Sequence, residues 1–215
     1  MYVPEHFVSG DADALIARLA RRWAGVLITV NADGAPAGTH MPILWDAEHR
    51  IATGHIARAN PQWKLGDGKG LIVLSGTEAY VSPSWYPSKA EHGKTVPTWN
   101  YEAVHITGRV QWFDDPERLE AMLEELSALH EHDRAQPWGI GDAPRTYIDA
   151  LKRGIVGVTL TAERIEAKRK LSQNKSEADF GGVVSGLAAS DDAMQREVAA
   201  LMRETRAVSD DPEGN

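Results

Sequence analysis

Short apolar segments joined by tight turns between residues 26 and 113 constrain the fold of this chain more than any other feature. Val26–Thr29 leads into a turn at Asn31–Ala35, where a glycine can adopt a positive φ. Thr39–Trp45 and Arg50–Ile56 follow as two more strand patterns. Closely spaced strands of this kind are typical of an antiparallel barrel or sandwich.

Further strand patterns continue this region. Leu71–Leu74 and Glu78–Ser82 are predicted as separate strands because Gly76 interrupts them. Tyr86–Pro97 contains proline, lysine and glycine without any periodicity, so we expect a long loop there. Trp99–Phe113 alternates between apolar and polar residues along its length, which predicts the longest strand.

Helical patterns lie on both sides of the strand region. Apolar residues recur at helical spacing within Leu15–Trp23, where Asp11 or Ser9 can cap the helix, and within Leu119–Leu129, where Asp115 can. A shorter helix is predicted near Pro144, then a last strand from Val156 and a terminal helix over Asp191–Arg206. The sequence therefore predicts an α+β chain built around an antiparallel barrel, with one domain as the simplest organisation.

The composition excludes several classes of function. The 215 residues contain no cysteine, which removes disulfides, zinc ribbons, iron–sulfur clusters and thiol catalysis. The net charge of −8 disfavours direct binding to DNA, which depends on basic side chains that displace counterions. Every apolar run is far shorter than a membrane helix, and no export signal is recognisable. We therefore expect a soluble, cytoplasmic protein that binds a small molecule or a protein partner and no membrane.

A strand-to-helix junction within Gly54–Lys64 is the strongest candidate site. Asn60 is a good N-cap and Pro61 suits the first helical position, so a short helix is predicted to begin there. The free N–H groups of its first turn, together with Arg58, would attract an anion such as phosphate, and Lys64 adds a second charge. A plain junction with a solvated Arg58 explains the same residues equally well.

Two other segments are candidates for binding. Lys168–Lys170 and Lys175 form the densest basic run, which is either a solvated face or a strand end that faces a polar ligand. Aromatic residues cluster within Tyr80–Tyr86 and Trp99–Tyr101. Such residues suit the stacking of a flat ring, and they serve equally well in a core or a dimer interface.

The histidines give weaker signals. His130 and His132 lie two apart on a predicted helix, about 200° apart around its axis, so no metal site is predicted. His40, His55 and His105 lie on predicted strands, where a histidine more often serves as a structural hydrogen-bonding group than as a catalyst.

Six motifs, in one order along the chain, resemble the PaiB family. They are Tyr2–Phe7, Thr39–Pro42, Gly54–Trp63, Ala79–Tyr86, Val96–His105 and Lys170–Lys175. Members of that family are described as FMN-binding negative transcriptional regulators of protease synthesis and sporulation. The resemblance implies an antiparallel split β-barrel related to pyridoxamine-phosphate-oxidase-like flavoproteins. It also implies a homodimer with the flavin in clefts between the subunits.

The resemblance assigns roles to individual residues. Those expected to approach the FMN phosphate are His55, Arg58 and Asn60, in agreement with the anion site above, where Lys64 adds its charge. Those expected along the flavin edge are Thr39, His40 and Pro42. Those expected to complete the cleft, some from the partner chain, are Trp99, Asn100, Tyr101, Ser172, Gln173 and Asn174.

The predicted function follows from this resemblance. We expect an FMN-binding split-barrel domain over residues 1–187, a C-terminal helix over 188–208 and a disordered tail over 209–215. Gene regulation through a groove-reading helix is disfavoured because the chain is acidic, so a flavin, a small ligand or a protein partner is expected to mediate it. The alternatives are a flavin-dependent oxidoreductase without a regulatory role, and a haem-binding protein in which His40, His55 or His105 supplies the axial nitrogen.

Overall fold

The computed structural model describes residues 1–210. Its strands are β1 (Gly25–Val30), β2 (Pro36–Met41), β3 (Leu44–Asp46), β4 (Ile51–Ala57), β5 (Gly68–Val81), β6 (Thr98–Phe113) and β7 (Ile155–Lys170). Its α-helices are α1 (Ala12–Arg22), α2 (Ser88–His92), α3 (Pro116–Glu131), α4 (Arg145–Lys152), α5 (Glu177–Ala188) and α6 (Ala193–Asp210). Short 3-10 helices cover Glu5–Phe7, Pro61–Leu65, Pro83–Trp85 and Ile140–Asp142.

The strands form one sheet in the order β2-β1-β5-β6-β7-β4-β3. β1 pairs antiparallel with β2 and with β5, and β4 pairs antiparallel with β3 and with β7. The β4–β7 register runs from Ile51 opposite Thr161 to Ala57 opposite Ile155. The prediction of an α+β chain with an antiparallel sheet is confirmed. Within residues 1–210, no helix has the length and apolar character needed to cross a bilayer.

The chain forms two compact units, which we describe separately. The first unit contains residues 1–10, residues 75–103 and the described residues from 167 onward. The second unit contains residues 11–74 and 104–166. The boundaries predicted for a flavin-binding domain over 1–187 and a helix over 188–208 stay predictions.

The helices of the second unit begin as the sequence predicts. The Asp11 carboxylate accepts a hydrogen bond from the backbone N–H of Ala14 at 2.9 Å, which caps α1. The Asp115 carboxylate accepts one from the N–H of Arg118 at 2.8 Å, which caps α3. The two helices bury the apolar side chains of Leu15, Ile16, Leu19, Leu119, Met122 and Leu126.

In the first unit, α5 and α6 belong to one apolar core. Phe180, Val183 and Leu187 of α5 are buried with Val198 and Met202 of α6. The sequence did not predict α5, because glycines at three positions lower its helix propensity. α6 confirms the predicted terminal helix and extends to Asp210. A disordered tail was predicted over residues 209–215. Residues 211–215 of that tail lie outside the described part of the chain.

Three predicted boundaries are wrong. The single strand over Thr39–Trp45 is divided into β2 and β3, because Pro42 has no N–H to donate to a strand ladder. The predicted break at Gly76 does not occur, since β5 continues through it. The loop over Tyr86–Pro97 contains α2, whose first residue, Ser88, donates two hydrogen bonds to a carboxylate distant in sequence.

Candidate functional site

A hydrogen-bond network in the second unit connects two of the predicted site residues. The amide nitrogen of Asn60 donates to the hydroxyl of Thr39 at 2.8 Å, and that hydroxyl donates to Oε1 of Gln62 at 2.5 Å. Nε2 of Gln62 donates to the carbonyl oxygen of Leu27 at 3.3 Å and the hydroxyl of Thr29 at 3.0 Å. Gln62 is only 3% exposed. Hydrogen bonds to each other and to Gln62 therefore fix the side chains of Thr39 and Asn60.

The helix after Asn60 differs from the predicted anion site. It is a 3-10 helix of five residues, Pro61–Leu65, and not an α-helix. The side chain of Asn60 accepts the backbone N–H of Gln62 at 3.0 Å. One of the N–H groups expected to face an anion is therefore already bonded, and the helix is too short to contribute an appreciable dipole.

His55 lies on β4, directly before the junction. Its side chain is partly buried, and burial lowers its pKa, which favours the neutral imidazole. The Nδ1 atom is buried and has no hydrogen-bond partner among the described residues. A buried polar atom without a partner is costly, so this nitrogen is a candidate contact for a bound molecule.

The segment between β2 and β3 packs closely against β4. A Cβ added to Gly54 would lie 2.6 Å from the carbonyl oxygen of Pro42, so only glycine allows this approach. His40, two residues before Pro42, is exposed at the end of β2. Pro42 is thus held beside β4, while the His40 side chain is accessible from solvent.

Arg58 is bonded to the main chain of the same unit. Its Nε donates to the carbonyl oxygen of Arg153 at 2.9 Å, and its Nη2 donates to that of Ile155 at 3.0 Å. Nη1 forms a longer contact, 3.4 Å, with the carboxylate of Asp114. A guanidinium has five N–H donors, so two remain available for a ligand. Lys64 is exposed, with its Nζ 5.9 Å from the centre of the Trp63 ring.

A cavity of about 380 Å³ lies beside Arg58, but most of its charges are paired. Arg145 and Lys152 both donate to the carboxylate of Glu120, and both also pair with Asp149. The hydrogen bonds from Lys152 and Arg145 hold the pKa of Glu120 below its usual value. Within this cavity, the positive charges of Arg145 and Lys152 are therefore balanced by Glu120 and Asp149.

The first unit holds the other predicted site residues. Asn100 and Ser172 are buried and bonded to each other: Nδ2 of Asn100 donates to the Ser172 hydroxyl at 3.0 Å, which donates to Oδ1 of Asn100 at 3.1 Å. Ser172 has a φ of +65°, in the left-handed region that favours glycine. Nδ2 of Asn100 also contacts Sδ of Met202 at 3.4 Å. These two side chains shape the turn after β7.

The remaining predicted residues of the first unit differ in accessibility. Gln173 is bonded to the main chain, donating to the carbonyl oxygen of Arg169 at 2.5 Å and accepting from the N–H of Leu171 at 2.8 Å. Trp99 is 51% exposed and Asn174 is exposed, while Tyr101 is half-buried. Trp99 and Asn174 are therefore accessible from solvent, whereas the Gln173 side chain is partly buried and bonded to the main chain.

The structure brings some of the predicted residues into contact within each unit. Within the second unit, Thr39 and Asn60 are in contact, and Pro42 approaches β4 next to His55. Within the first unit, Asn100 contacts Ser172. Sequence reasoning missed Gln62, the buried centre of the network, although its place inside the Gly54–Trp63 motif was the available signal.

Comparisons with known proteins identify the family. A family model described as "Putative FMN-binding domain" matches residues 1–164. "Protease synthase and sporulation protein PAI 2" of Bacillus subtilis (strain 168) is 31% identical over 208 residues, which cover 95% of this chain and 97% of that protein.

Solved structures with low sequence identity share the fold. The flavocytochrome Anf3 from Azotobacter vinelandii has a TM-score of 0.56 at 14% identity, covering 84% of this chain and 78% of that one. The FAD and heme binding protein from Mycobacterium smegmatis has a TM-score of 0.55 at 13% identity, covering 80% and 78%. The predicted antiparallel split β-barrel with flanking helices is confirmed. On these findings, the chain belongs to the PaiB-type family of FMN-binding-domain proteins.

Proposed function

We propose that this protein binds FMN and that it does so as a homodimer. The observation that carries the proposal is the buried Nδ1 of His55, which has no hydrogen-bond partner in the described part of the chain. This atom lies just before Arg58 and Asn60, in a chain whose family is described as FMN-binding. A bound cofactor would complete the hydrogen bonding of the imidazole.

The residues around His55 fit a flavin in different ways. The unused N–H donors of Arg58 and the exposed ammonium of Lys64 suit a phosphate group. Thr39 and Asn60 support this segment through the Gln62 network, so we assign them a positioning role. The anion would be held by side chains, since the Pro61–Leu65 helix offers few free N–H groups.

The first unit supplies groups that suit a flat ring and a subunit interface. Trp99 is 51% exposed and Tyr80 is 44% exposed, and their rings meet edge to face with centroids 6.0 Å apart. Aromatic residues are enriched in protein interfaces. We assign Trp99, Tyr101 and Asn174 to the flavin cleft or its dimer border, with Asn100 and Ser172 as supports.

The chemistry that FMN supplies when bound is electron or hydride transfer. The chain's own residues would bind and orient it: Arg58 and Lys64 at the phosphate, and His55 through a neutral ring nitrogen. Because burial lowers the pKa of His55, the imidazole is a hydrogen-bonding group near neutral pH and not a permanent cation. A flavin-dependent oxidoreductase is the activity that this arrangement would serve.

A negative regulatory role in transcription would act through the flavin, a small ligand or a protein partner. The relative from Bacillus subtilis is named as a protease synthase and sporulation protein. Lys168 is buried, so the basic run is not the solvated face that contact with a DNA backbone needs. The net charge of −8 supports the same proposal.

A substitution of His55 tests the proposal directly. His55→Phe keeps an aromatic ring but removes the nitrogen, so FMN affinity should fall by about tenfold while the fold persists. FMN fluorescence quenching measures the affinity, and circular dichroism checks the fold. His130→Phe, at an exposed position on α3, is the matched control and should bind FMN like the wild type. Equal affinity of His55→Phe and the wild type would refute the assigned contact.

A further inference from the structure

Three lysines lie at the end of β7 and in the following turn: Lys168, Lys170 and Lys175. Nζ of Lys168 lies 5.2 Å from the centre of the Tyr101 ring, and Nζ of Lys170 lies 5.9 Å from it. Among residues 1–207, whose side chains the structure describes, no carboxylate lies within ion-pair distance of Lys168, Lys170 or Lys175. Arg169, in contrast, pairs with the carboxylate of Glu102 at 2.8 Å.

Burial makes these charges costly in the absence of an anion. Lys168 is only 8% exposed, and Lys170 and Lys175 are half-buried. Burial, together with the positive charges of Lys168 and Lys175, lowers the pKa of Lys170. Like charges in a partly desolvated region repel one another, and a bound anion would reverse that effect.

The turn that joins Lys170 to Lys175 is held in an unfavourable conformation. Ser172 has its φ at +65°, and the reciprocal hydrogen bonds with the buried Asn100 maintain it. Gln173 bonds to the main chain on either side of Lys170. Non-glycine residues in this region of backbone space are often found at ligand sites, where the surrounding structure maintains them.

The buried ring of Tyr86 lies beside Lys175. Tyr86 is 2% exposed, and its hydroxyl has no hydrogen-bond partner among the residues that the structure describes. Nζ of Lys175 lies 4.9 Å from the centre of the Tyr86 ring. The nearby carboxylate of Asp179 is engaged by the N–H and the hydroxyl of Ser88, at 3.1 and 2.8 Å.

We propose that Lys168, Lys170 and Lys175 bind the phosphate group of a small-molecule ligand, separately from the residues assigned to the flavin phosphate. Lys170 uses two N–H groups on the Thr98 hydroxyl and the Trp99 carbonyl oxygen, and Lys168 uses one on the carbonyl oxygen of Tyr2. The remaining ammonium protons can donate to a dianion, which accepts several charge-assisted hydrogen bonds at once. The burial of Lys168 favours a small ligand over the backbone of a nucleic acid.

Calorimetric titration of the full-length protein, as purified, tests this site. Inorganic phosphate and phenyl phosphate are the two probes, because they distinguish free phosphate from a phosphate ester. Lys170→Met and Lys175→Met should each weaken binding of at least one probe by about tenfold or more. Lys94→Met, at an exposed lysine of the same unit, should bind like the wild type. If Lys170→Met does not fold, Lys175→Met alone tests the proposal.

Lys175→Met separates this site from flavin binding, because Lys170 contacts Trp99 and Tyr101 of the proposed flavin cleft. The affinities of Lys175→Met for FMN and for riboflavin should match those of the wild type. Loss of FMN affinity with unchanged riboflavin affinity would show that the lysines hold the flavin's own phosphate, which overturns a separate site but leaves flavin binding intact. Absence of phosphate binding in the wild type, or equal binding by both lysine variants and the wild type, would also overturn the proposal.

Discussion

The guanidinium of Arg58 donates hydrogen bonds to the main-chain oxygens of Arg153 and Ile155. These bonds connect the end of β4 to the start of β7, and the ring nitrogen of Trp63 donates to the carbonyl oxygen of Arg58 at 2.9 Å. At the residue scale, Arg58 therefore stabilises the fold, in addition to the anion binding that its charge predicts. A change at Arg58 is expected to affect both properties.

Arg58→Ala should lower the free energy of unfolding by about 1–2 kcal/mol, because two hydrogen bonds to carbonyl oxygens are lost. It should also weaken FMN binding by about tenfold, because a charge-assisted contact is removed. Urea unfolding and FMN titration measure the two effects. Arg203→Ala, at an exposed arginine of α6, should change neither. Unchanged FMN affinity in a folded Arg58→Ala protein would place the phosphate elsewhere.

The buried imidazole of His55 predicts a pH dependence of stability. Burial lowers its folded-state pKa below the ordinary value of about 6.5, so the unfolded chain binds a proton more readily. The free energy of unfolding should therefore fall as the pH decreases below about 6.5. His105, whose pKa burial also lowers, contributes in the same direction.

Comparison with His55→Asn isolates the contribution of His55. The difference in unfolding free energy between wild type and variant should shrink as the pH falls from about 8 to about 5. Urea unfolding at several pH values measures it, and His130→Asn should keep the wild-type dependence. A pH-independent difference for His55→Asn would show that the folded chain protonates His55 as easily as the unfolded chain does.

At the scale of elements, the packing of α5 depends on two of its glycines. A Cβ on Gly186 would lie 2.5 Å from the indole of Trp85, and one on Gly182 would meet the carbonyl oxygen of Trp85. Gly181 has open space around it. The same glycines that weaken the helix in isolation therefore allow it to pack against Trp85.

These three glycines provide a matched test. Gly182→Ala should lower the free energy of unfolding by about 1–3 kcal/mol through steric overlap. Gly181→Ala should raise it, by up to about 1 kcal/mol, because alanine has the higher helix propensity. Thermal or urea unfolding of the two variants gives both values. Equal effects at the two positions would contradict the packing described for Trp85.

A helix could be predicted from the sequence when the interactions that stabilise it lie within its own segment. α1 and α3 were predicted because their caps and apolar spacing lie within one segment of sequence. α2 and α5 were missed, since their stability depends on contacts between distant residues, such as Ser88 with Asp179 and Trp85 with Gly186. Secondary structure supported by such contacts leaves little signal in the local sequence.

At the scale of the whole molecule, the family and the split-barrel fold were predicted from motifs spread along the chain. The individual roles of site residues were harder to predict. Asn100, Ser172 and Gln173 are bonded inside the chain, and no sequence pattern indicates which polar side chains will find internal partners. The motifs predict where the site lies, and the structure shows which of the predicted residues are bonded inside the chain and which are exposed.

A homodimer should depend on the exposed aromatic pair of the first unit. Trp99→Ala should weaken dimerisation by about tenfold or more, because exposed tryptophans often dominate interface energy. Light scattering over a dilution series should show the wild type at twice the 23.5 kDa chain mass. Trp138→Ala, at a tryptophan that is 45% exposed in the second unit, should remain dimeric. A wild-type protein with the mass of a single chain in solution would contradict the proposed homodimer.

Titration of the purified protein with FMN, riboflavin and haem, followed by visible absorption and flavin fluorescence, tests flavin binding most directly. We expect saturable binding of FMN, with weaker binding of riboflavin because it lacks the phosphate that Arg58 and Lys64 would contact. Failure to bind FMN, with or without uptake of haem, would contradict the account.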